Sequence, residues 1–424
     1  MVYPVFLSKL LIRSGLARWL PAVRQRTGDA GPFLHYYSDR VLAAPLEGLR
    51  DTACLLDLPG VDGIDLAQGS PTFDLVPSGS TKLPVDRRGF PPPWGLPALR
   101  EAVAGILNRS CGLRVQATDE VLITSGVSGA FSVALDSLVN PGSRVVLFDP
   151  TSPLYQVALQ QRRARIRWIP SWMEGGRTRF HMEHLVKALR WAKLIVLTSP
   201  ANPTGGCLAP ADLEQIAWWA DRHDVLIFED HAFARYCYDG PVQNIASCAK
   251  AARRTLTAGS VSKSHALAAH RVGWLAGHRH LVRPCALTAM LQTPFVPTLC
   301  QQIALSALNQ SEEIFRPILT DFESRRRYAF ERLQALGLPP DWPAGAYFLW
   351  TNVKRLGLTG RAFAEQLGRA KKVLVTPGHL FGPSGTHHVR LSYAADDGRL
   401  REGLARVADF VRSSGDRQVV RAAA

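Results

Sequence analysis

The chain has 424 residues, with 50 Lys and Arg against 35 Asp and Glu for a net charge of +15, and 46% hydrophobic against 20% charged residues. This composition excludes a disordered or fibrous chain and fits two or three globular domains whose core needs no disulfide or metal staple. The arginines are scattered, with short clusters such as Arg325-Arg326-Arg327, so the excess charge reads as a solvated basic surface and not as a nucleic-acid footprint.

Met1 to Leu20 is apolar but broken by Lys9, Arg13 and Arg18. It is too interrupted to span a bilayer and lacks an apolar run with a cleavage site, so an amphipathic arm packing on the body or a partner subunit is expected. Val121–Thr124 reads as a buried strand and Ala130–Val139 as the helix after it. Val145–Phe148 and Leu194–Leu197 are further apolar strands, and Leu208–His223 reads as a helix running into the strand Val225–Phe228. Apolar strands alternating with helices predict a mostly parallel sheet buried on both faces, in a layered α/β fold. Ligands in such sheets sit beyond the carboxyl ends of strands, here Thr124-Ser125-Gly126, Ser199-Pro200-Ala201-Asn202 and Glu229-Asp230. From Glu312 to Leu336 a long charged amphipathic helix follows, then short strands at Tyr347–Trp350, Val373–Val375 and Val389–Ser392. The expected organisation is an arm and part of a small domain over 1–75, a large domain over 76–310 and a smaller α+β domain over 311–412. The stretch 413–424 is expected to be a disordered tail. The seven cysteines, at 54, 111, 207, 237, 248, 285 and 300, are irregularly spaced with no CxxC pair. Reduced thiols in a cytoplasmic protein fit this pattern better than a disulfide framework or a zinc site.

Lys263 stands in Ser260-Val261-Ser262-Lys263, with Arg271 eight residues later in His270-Arg271-Val272-Gly273-Trp274. A lone lysine is usually a surface charge, but hydroxyls, backbone N–H groups and an arginine fork are the groups that hold a phosphate dianion. Asn202-Pro203-Thr204-Gly205 follows a buried strand directly, Asp230 lies twenty-eight residues after Asn202, and Lys263 thirty-three after that.

With these residues in order, the chain resembles the class I/II aminotransferases, pyridoxal-phosphate enzymes of fold type I. Further matches run from Asp65 to Ala394: Ile64–Pro71, Gly95 with Leu99-Arg100, Thr124–Ala130, Pro343–Phe348, Pro377-Gly378 and Val389–Ser392. The resemblance implies a large, mostly parallel seven-stranded type of sheet plus a smaller α+β domain, and a homodimer with the site at its interface. It implies that Lys263 holds pyridoxal phosphate as a Schiff base and moves the proton between the substrate α-carbon and the cofactor. Asp230 resembles the partner of the protonated ring nitrogen, and Asn202 the donor to the phenolic oxygen. Ser260, Ser262, Arg271 and the turn Gly126-Val127-Ser128 resemble the phosphate cup. Arg390 resembles the fork for a substrate carboxylate, and Gly69 permits backbone approach to it. The implied substrates are an amino acid and a 2-oxo acid, with no metal, nucleic acid or membrane partner.

The pattern is broken in places. Phe233 stands where the family has a tyrosine that donates to the cofactor, and Ser152 where an aromatic ring stacks on the pyridine, with Tyr155 nearby as a substitute ring. Phe90 replaces a tyrosine that reaches the partner subunit's phosphate, and His270 a glycine. His231, His265 and His270 read as local packing, or as an extra acid–base group. Beside amino transfer, the changes leave open elimination or cyclisation, for example on a hydroxylated arginine derivative. A regulator with an aminotransferase-like sensor would need an N-terminal winged-helix module, which residues 1–64 do not suggest.

Overall fold

A computed structural model of the chain describes residues 63–73 and 89–422, with side chains to 413. The expected arm over Met1–Leu20 lies outside the described residues.

In chain order the elements begin with β1 (Ile64–Asp65), α1 (Pro97–Ser110), β2 (Val121–Thr124) and α2 (Gly126–Leu138). Then come β3 (Arg144–Asp149), α3 (Pro153–Gln161), β4 (Arg165–Glu174), β5 (Arg177–Phe180) and α4 (Met182–Leu189). The middle continues with β6 (Leu194–Thr198), α5 (Pro210–Arg222), β7 (Leu226–Asp230), β8 (Thr255–Ser260), a single helical turn Val261–Ser264 and β9 (Gly273–Gly277). Three helices follow, α6 (Arg279–Gln292), α7 (Thr298–Leu308) and α8 (Glu312–Ala335). The last part holds β10 (Phe348–Asn352), α9 (Gly360–Lys371), β11 (Val373–Leu374), β12 (Thr376–Pro377), β13 (His388–Ser392) and α10 (Asp397–Ala422).

The large sheet has the order β2-β9-β8-β7-β6-β3-β4-β5. Its centre is parallel, from β8 through β7, β6 and β3 to β4. Strand β9 runs antiparallel to both its neighbours, and β5 returns from β4 as an antiparallel hairpin, an eighth strand added to the seven-stranded type. Alternate residues of the central strands enter different cores: Leu147, Val196 and Phe228 meet α2 and α6, while Val146, Ile195 and Ile227 meet α4 and α5. A sheet covered on both faces must be apolar on both faces, which is why these strands read as continuous apolar runs.

The second, smaller assembly is the antiparallel sheet β10-β13-β12, with β1 paired to β11 beside it. Its core combines Tyr347, Phe348 and Leu391 with Phe315 and Phe322 of α8, and with Leu400, Leu404 and Phe410 of α10. Ile64 and Leu66 enter this same core, as do Phe233 and Tyr236 from the segment after β7. Helix α10 continues to Ala422, where a frayed tail was expected from Ser413. One glycine, Gly415, costs a helix only about 1 kcal/mol, too little to end one already nucleated upstream. Among the described residues no helix is long and apolar enough to cross a membrane.

Candidate active site

The site lies where β2, β6, β7 and β8 end and the small sheet faces them. The turn after β2 reverses sharply into α2. Gly126 takes a φ of +71° there, and no side chain caps the helix. The leading N–H groups of α2, those of Val127 and Ser128 among them, therefore have no side-chain acceptor at the positive end of the helix dipole. Arg271 closes this corner from the loop before β9. Its guanidinium donates to the Ser125 carbonyl at 3.4 Å, the Ser262 hydroxyl at 3.4 Å and the Ala268 carbonyl at 3.0 Å. Gly126 and Gly273 make the corner possible, since a Cβ on Gly273 would stand 2.7 Å from the Gly126 backbone. Ser260 and Ser262, at the end of β8 and in the turn after it, are both buried.

Strand β7 delivers two buried carboxylates to different surroundings. Glu229 accepts from the Ile245 N–H at 3.1 Å, and burial pushes its carboxyl up to about 8. Asp230 accepts the Ala232 N–H at 2.9 Å and the Tyr155 hydroxyl. Burial raises the pKa of Asp230, while Tyr155, the Ala232 amide and the charge of Lys263 oppose the rise.

Lys263 is half-buried on the turn after β8, and its ammonium donates to the Gly69 carbonyl. The Tyr347 hydroxyl donates to the same carbonyl at 2.9 Å. A Cβ on Gly69 would fall 2.7 Å from the Phe348 ring, so only glycine lets this backbone reach the lysine. Burial first, then the nearby charges of Arg390 and Arg271, push the Lys263 amine down to about 8, with Asp230 opposing. The backbone of Lys263 is fixed from behind by the Tyr236 hydroxyl, which donates to its carbonyl at 2.9 Å.

Arg390, on β13, is buried. It donates to Asn202 Oδ1 at 2.8 Å, to the Thr376 hydroxyl at 3.2 Å and to the Ala67 carbonyl at 2.5 Å. Its guanidinium carbon lies 4.3 Å from the centre of the Phe348 ring and 5.0 Å from that of Phe381. Among the described residues its Nε has no partner, and none of its hydrogen bonds goes to a carboxylate. Burial pushes the guanidinium down to about 10.

The structure thus gathers Lys263, Asp230, Asn202, Arg271, Arg390 and Gly69 with Ser260, Ser262 and the Gly126–Ser128 turn. Two expectations change. Tyr155 is not a ring available for stacking, because it is wholly buried against Phe131 and serves Asp230 through its hydroxyl. Phe233 points into the aromatic core, edge-on to Tyr347 and Phe348 at 5.3 Å each, and so contributes packing. Ser152 sits at the N-cap of α3. His231 and His265 are both buried and neutral at ordinary pH, pushed down to about 4 and about 3 by burial. His231 lies against Cys111 and Glu229, and His265 against Arg235 and Ser264, so packing is the reading that fits them. Reasoning from the sequence missed Thr376, Tyr236 and the Ala67 and Ser125 carbonyls. Of these, Ala67 and Ser125 lie inside recognised motifs and Thr376 directly before Pro377-Gly378, while Tyr236 lies in none.

Comparison with known proteins agrees with this geometry. The family described as aminotransferase class I and II matches residues 61–407. An aspartate aminotransferase of Pyrococcus abyssi is 29% identical over 83% of this chain and 92% of its own length. Aromatic-amino-acid aminotransferase 2 of Thermococcus litoralis is 30% identical over 83% of this chain and 93% of its own. The structure of a double mutant of Thermus thermophilus aspartate aminotransferase superposes with a TM-score of 0.78 at 29% identity, covering 88% of this chain and 99% of that one. The chain belongs to the class I and II aminotransferases. It is a pyridoxal-phosphate-dependent enzyme of fold type I that acts on an amino acid and a 2-oxo acid, and its relatives support amino transfer over elimination or cyclisation.

The Tyr155–Asp230 contact generates a prediction. A charge-assisted hydrogen bond is worth about 1.5–3 kcal/mol, and each 1.4 kcal/mol is about tenfold in rate. Tyr155→Phe keeps the ring and removes the donor, so kcat should fall about ten- to hundredfold with KM little changed. Steady-state kinetics check this, and an unaltered kcat would remove Tyr155 from any role in supporting Asp230.

Proposed function

We propose that Lys263 carries the cofactor, that Asp230, Asn202, Ser260, Ser262, Arg271 and the Gly126–Ser128 turn hold it, and that Arg390 and Gly69 receive the substrate. The observation that carries this reading is the setting of Lys263. Its amine rests on the Gly69 carbonyl, among two arginines and a buried carboxylate, with its pKa brought down to about 8.

The residues present fit pyridoxal phosphate. An uncapped helix start, an arginine and two serines suit a phosphate dianion, and a Cβ at Gly126 would come within 2.5 Å of Arg271 and fill the cup. A buried aspartate held by a tyrosine and a backbone amide suits a protonated ring nitrogen. When bound, the cofactor supplies an electron sink for charge left at the substrate α-carbon and carries the amino group from one substrate to the next.

The protein's own groups do the rest. Arg390 grips the substrate α-carboxylate with guanidinium hydrogens that no carboxylate of the described residues satisfies. Asn202 commits its Oδ1 to Arg390, which leaves its amide hydrogens to donate to the cofactor's phenolic oxygen. Lys263, neutral in an appreciable fraction near pH 7–8, takes the proton from the substrate α-carbon and returns it. Amino acid added without a 2-oxo acid should shift the cofactor absorbance to that of the pyridoxamine form. Lys263→Ala should abolish that shift and lower kcat by about 10²–10⁴-fold or more. Wild-type turnover in Lys263→Ala would defeat this assignment, and release of ammonia would favour elimination.

A homodimer belongs to the same proposal. Leu287 and Leu291, one turn apart on α6, are 65% and 88% exposed, with Met290 beside them. Phe90, 87% exposed, stacks on Phe295 at 4.9 Å in the segment that follows α6. Exposed apolar groups of this size mark a surface made to be covered. Light scattering should give twice the chain mass, and Leu287→Asp with Leu291→Asp should halve it; a monomeric wild type would overturn the proposal.

A further inference from the structure

Two rings lie against the Arg390 guanidinium, and the chain holds them differently. Phe348 is part of β10, whose antiparallel ladder with β13 sets Trp350 opposite Arg390. Phe381 is on no strand. It ends the first of two helical turns, Gly378–Phe381 and Pro383–His387, that connect β12 to β13. Trp350 meets it edge-on at 5.4 Å, and with Leu380 these residues form a small apolar cluster of their own. So small a cluster gives a turn little resistance to local opening.

The large sheet supplies the rest of the hold, from the carboxyl end of β3. The Thr151 N–H donates to the Phe381 carbonyl at 2.8 Å. The Asp149 carboxylate reaches across to Ser384, accepting its hydroxyl at 2.8 Å on Oδ1 and its N–H at 3.2 and 3.1 Å on the two oxygens. Gly382 lies between them, and a Cβ there would collide with Asp149 Oδ1. From behind, the Ser171 hydroxyl donates to the Asp149 carbonyl at 3.0 Å and fixes the strand end. Asp149 is buried, and its carboxylate has no Lys or Arg partner among the described residues. Burial raises its pKa, and the Ser384 hydroxyl and then the Ser384 amide oppose the rise. A buried carboxylate without a cation is costly, and here the hydrogen bonds that offset the cost come from one serine of that connection.

We propose that Asp149 is a positioning residue for the substrate carboxylate: by tying residues 378–387 to the end of β3, it keeps Phe381 against the Arg390 guanidinium. This rests on the function proposed above, where Arg390 receives that carboxylate. The ring limits the tilt of the guanidinium plane, and the fork points where the plane points. Thr376, which accepts from Arg390, leads into the same connection. With the tie cut, Phe381 withdraws and the fork loosens. Arg390 holds the carboxylate in the ground state and the transition state alike, so the loss raises KM and spares kcat. Asp149 thus acts through the connection and not on the reacting atoms.

The test measures initial rates of the holoenzyme and its variants, with the best donor from a panel of the common amino acids and 2-oxoglutarate as acceptor. Thermal unfolding and cofactor absorbance are followed beside the rates. Asp149→Ala should raise KM for both substrates by about tenfold, with kcat changed less than about twofold. Ser384→Ala, which removes one bond and disturbs the fold least, should raise both by about threefold. In an Arg390→Lys background, adding Asp149→Ala should raise KM by less than about twofold, because the fork it positions is gone. Unchanged KM in Asp149→Ala and Ser384→Ala, a fall in kcat alone, or an undiminished rise on top of Arg390→Lys would each overturn this inference alone. If Arg390→Lys by itself left both KM values unchanged, the carboxylate reading of Arg390 would fall and take this inference with it.

Discussion

Arg390 holds a positive charge in a buried position where, among the described residues, no carboxylate accepts its hydrogen bonds. Burying an unpaired charge costs several kcal/mol. The protein offsets part of that through the Ala67 carbonyl, Asn202, Thr376 and the two rings of Phe348 and Phe381. None of these neutralises the charge. The remainder is attraction available to an incoming carboxylate, and its fork geometry dictates how that carboxylate must lie. Lys263 feels the same excess of positive charge, which helps keep its amine able to give up a proton.

Two architectural facts bring these groups to one place. The parallel centre of the large sheet ends its strands on one side, so Asn202, Asp230 and Ser260 arrive there from β6, β7 and β8. The small sheet faces that side and contributes Arg390 from β13 and the Gly69 carbonyl from the segment after β1. Tyrosines on neither strand end do much of the fixing. Tyr155 steadies Asp230 from inside the core, Tyr236 fixes the lysine backbone, and Tyr347 shares the Gly69 carbonyl with the lysine amine. Each spends its hydroxyl on one buried acceptor, so the reacting groups cannot drift far.

Much of this was readable from residue order alone, and the reason is physical. Val121–Thr124, Leu194–Leu197 and the helix starting at Glu312 carry periodicities that only buried strands or a one-sided helix produce, and the structure places elements there. The spacing from Asn202 to Asp230 to Lys263 is one crossover helix and then one connecting loop, so it survives wherever the sheet does. Strand β4 was not legible. Arg165 to Glu174 alternates charged and apolar residues around Pro170, which suits a strand near the sheet edge but has no continuous apolar run. Nor was the service done by Tyr155, since a residue that reaches the site only through Asp230 has no local pattern to betray it.

The chemistry of the site turns on which amine meets the cofactor. Reduction of the holoenzyme with borohydride, followed by peptide mass mapping, would fix that bond permanently. One phosphopyridoxyl group per chain is expected, on the peptide holding Lys263; modification of another lysine, or of none, would contradict the assignment.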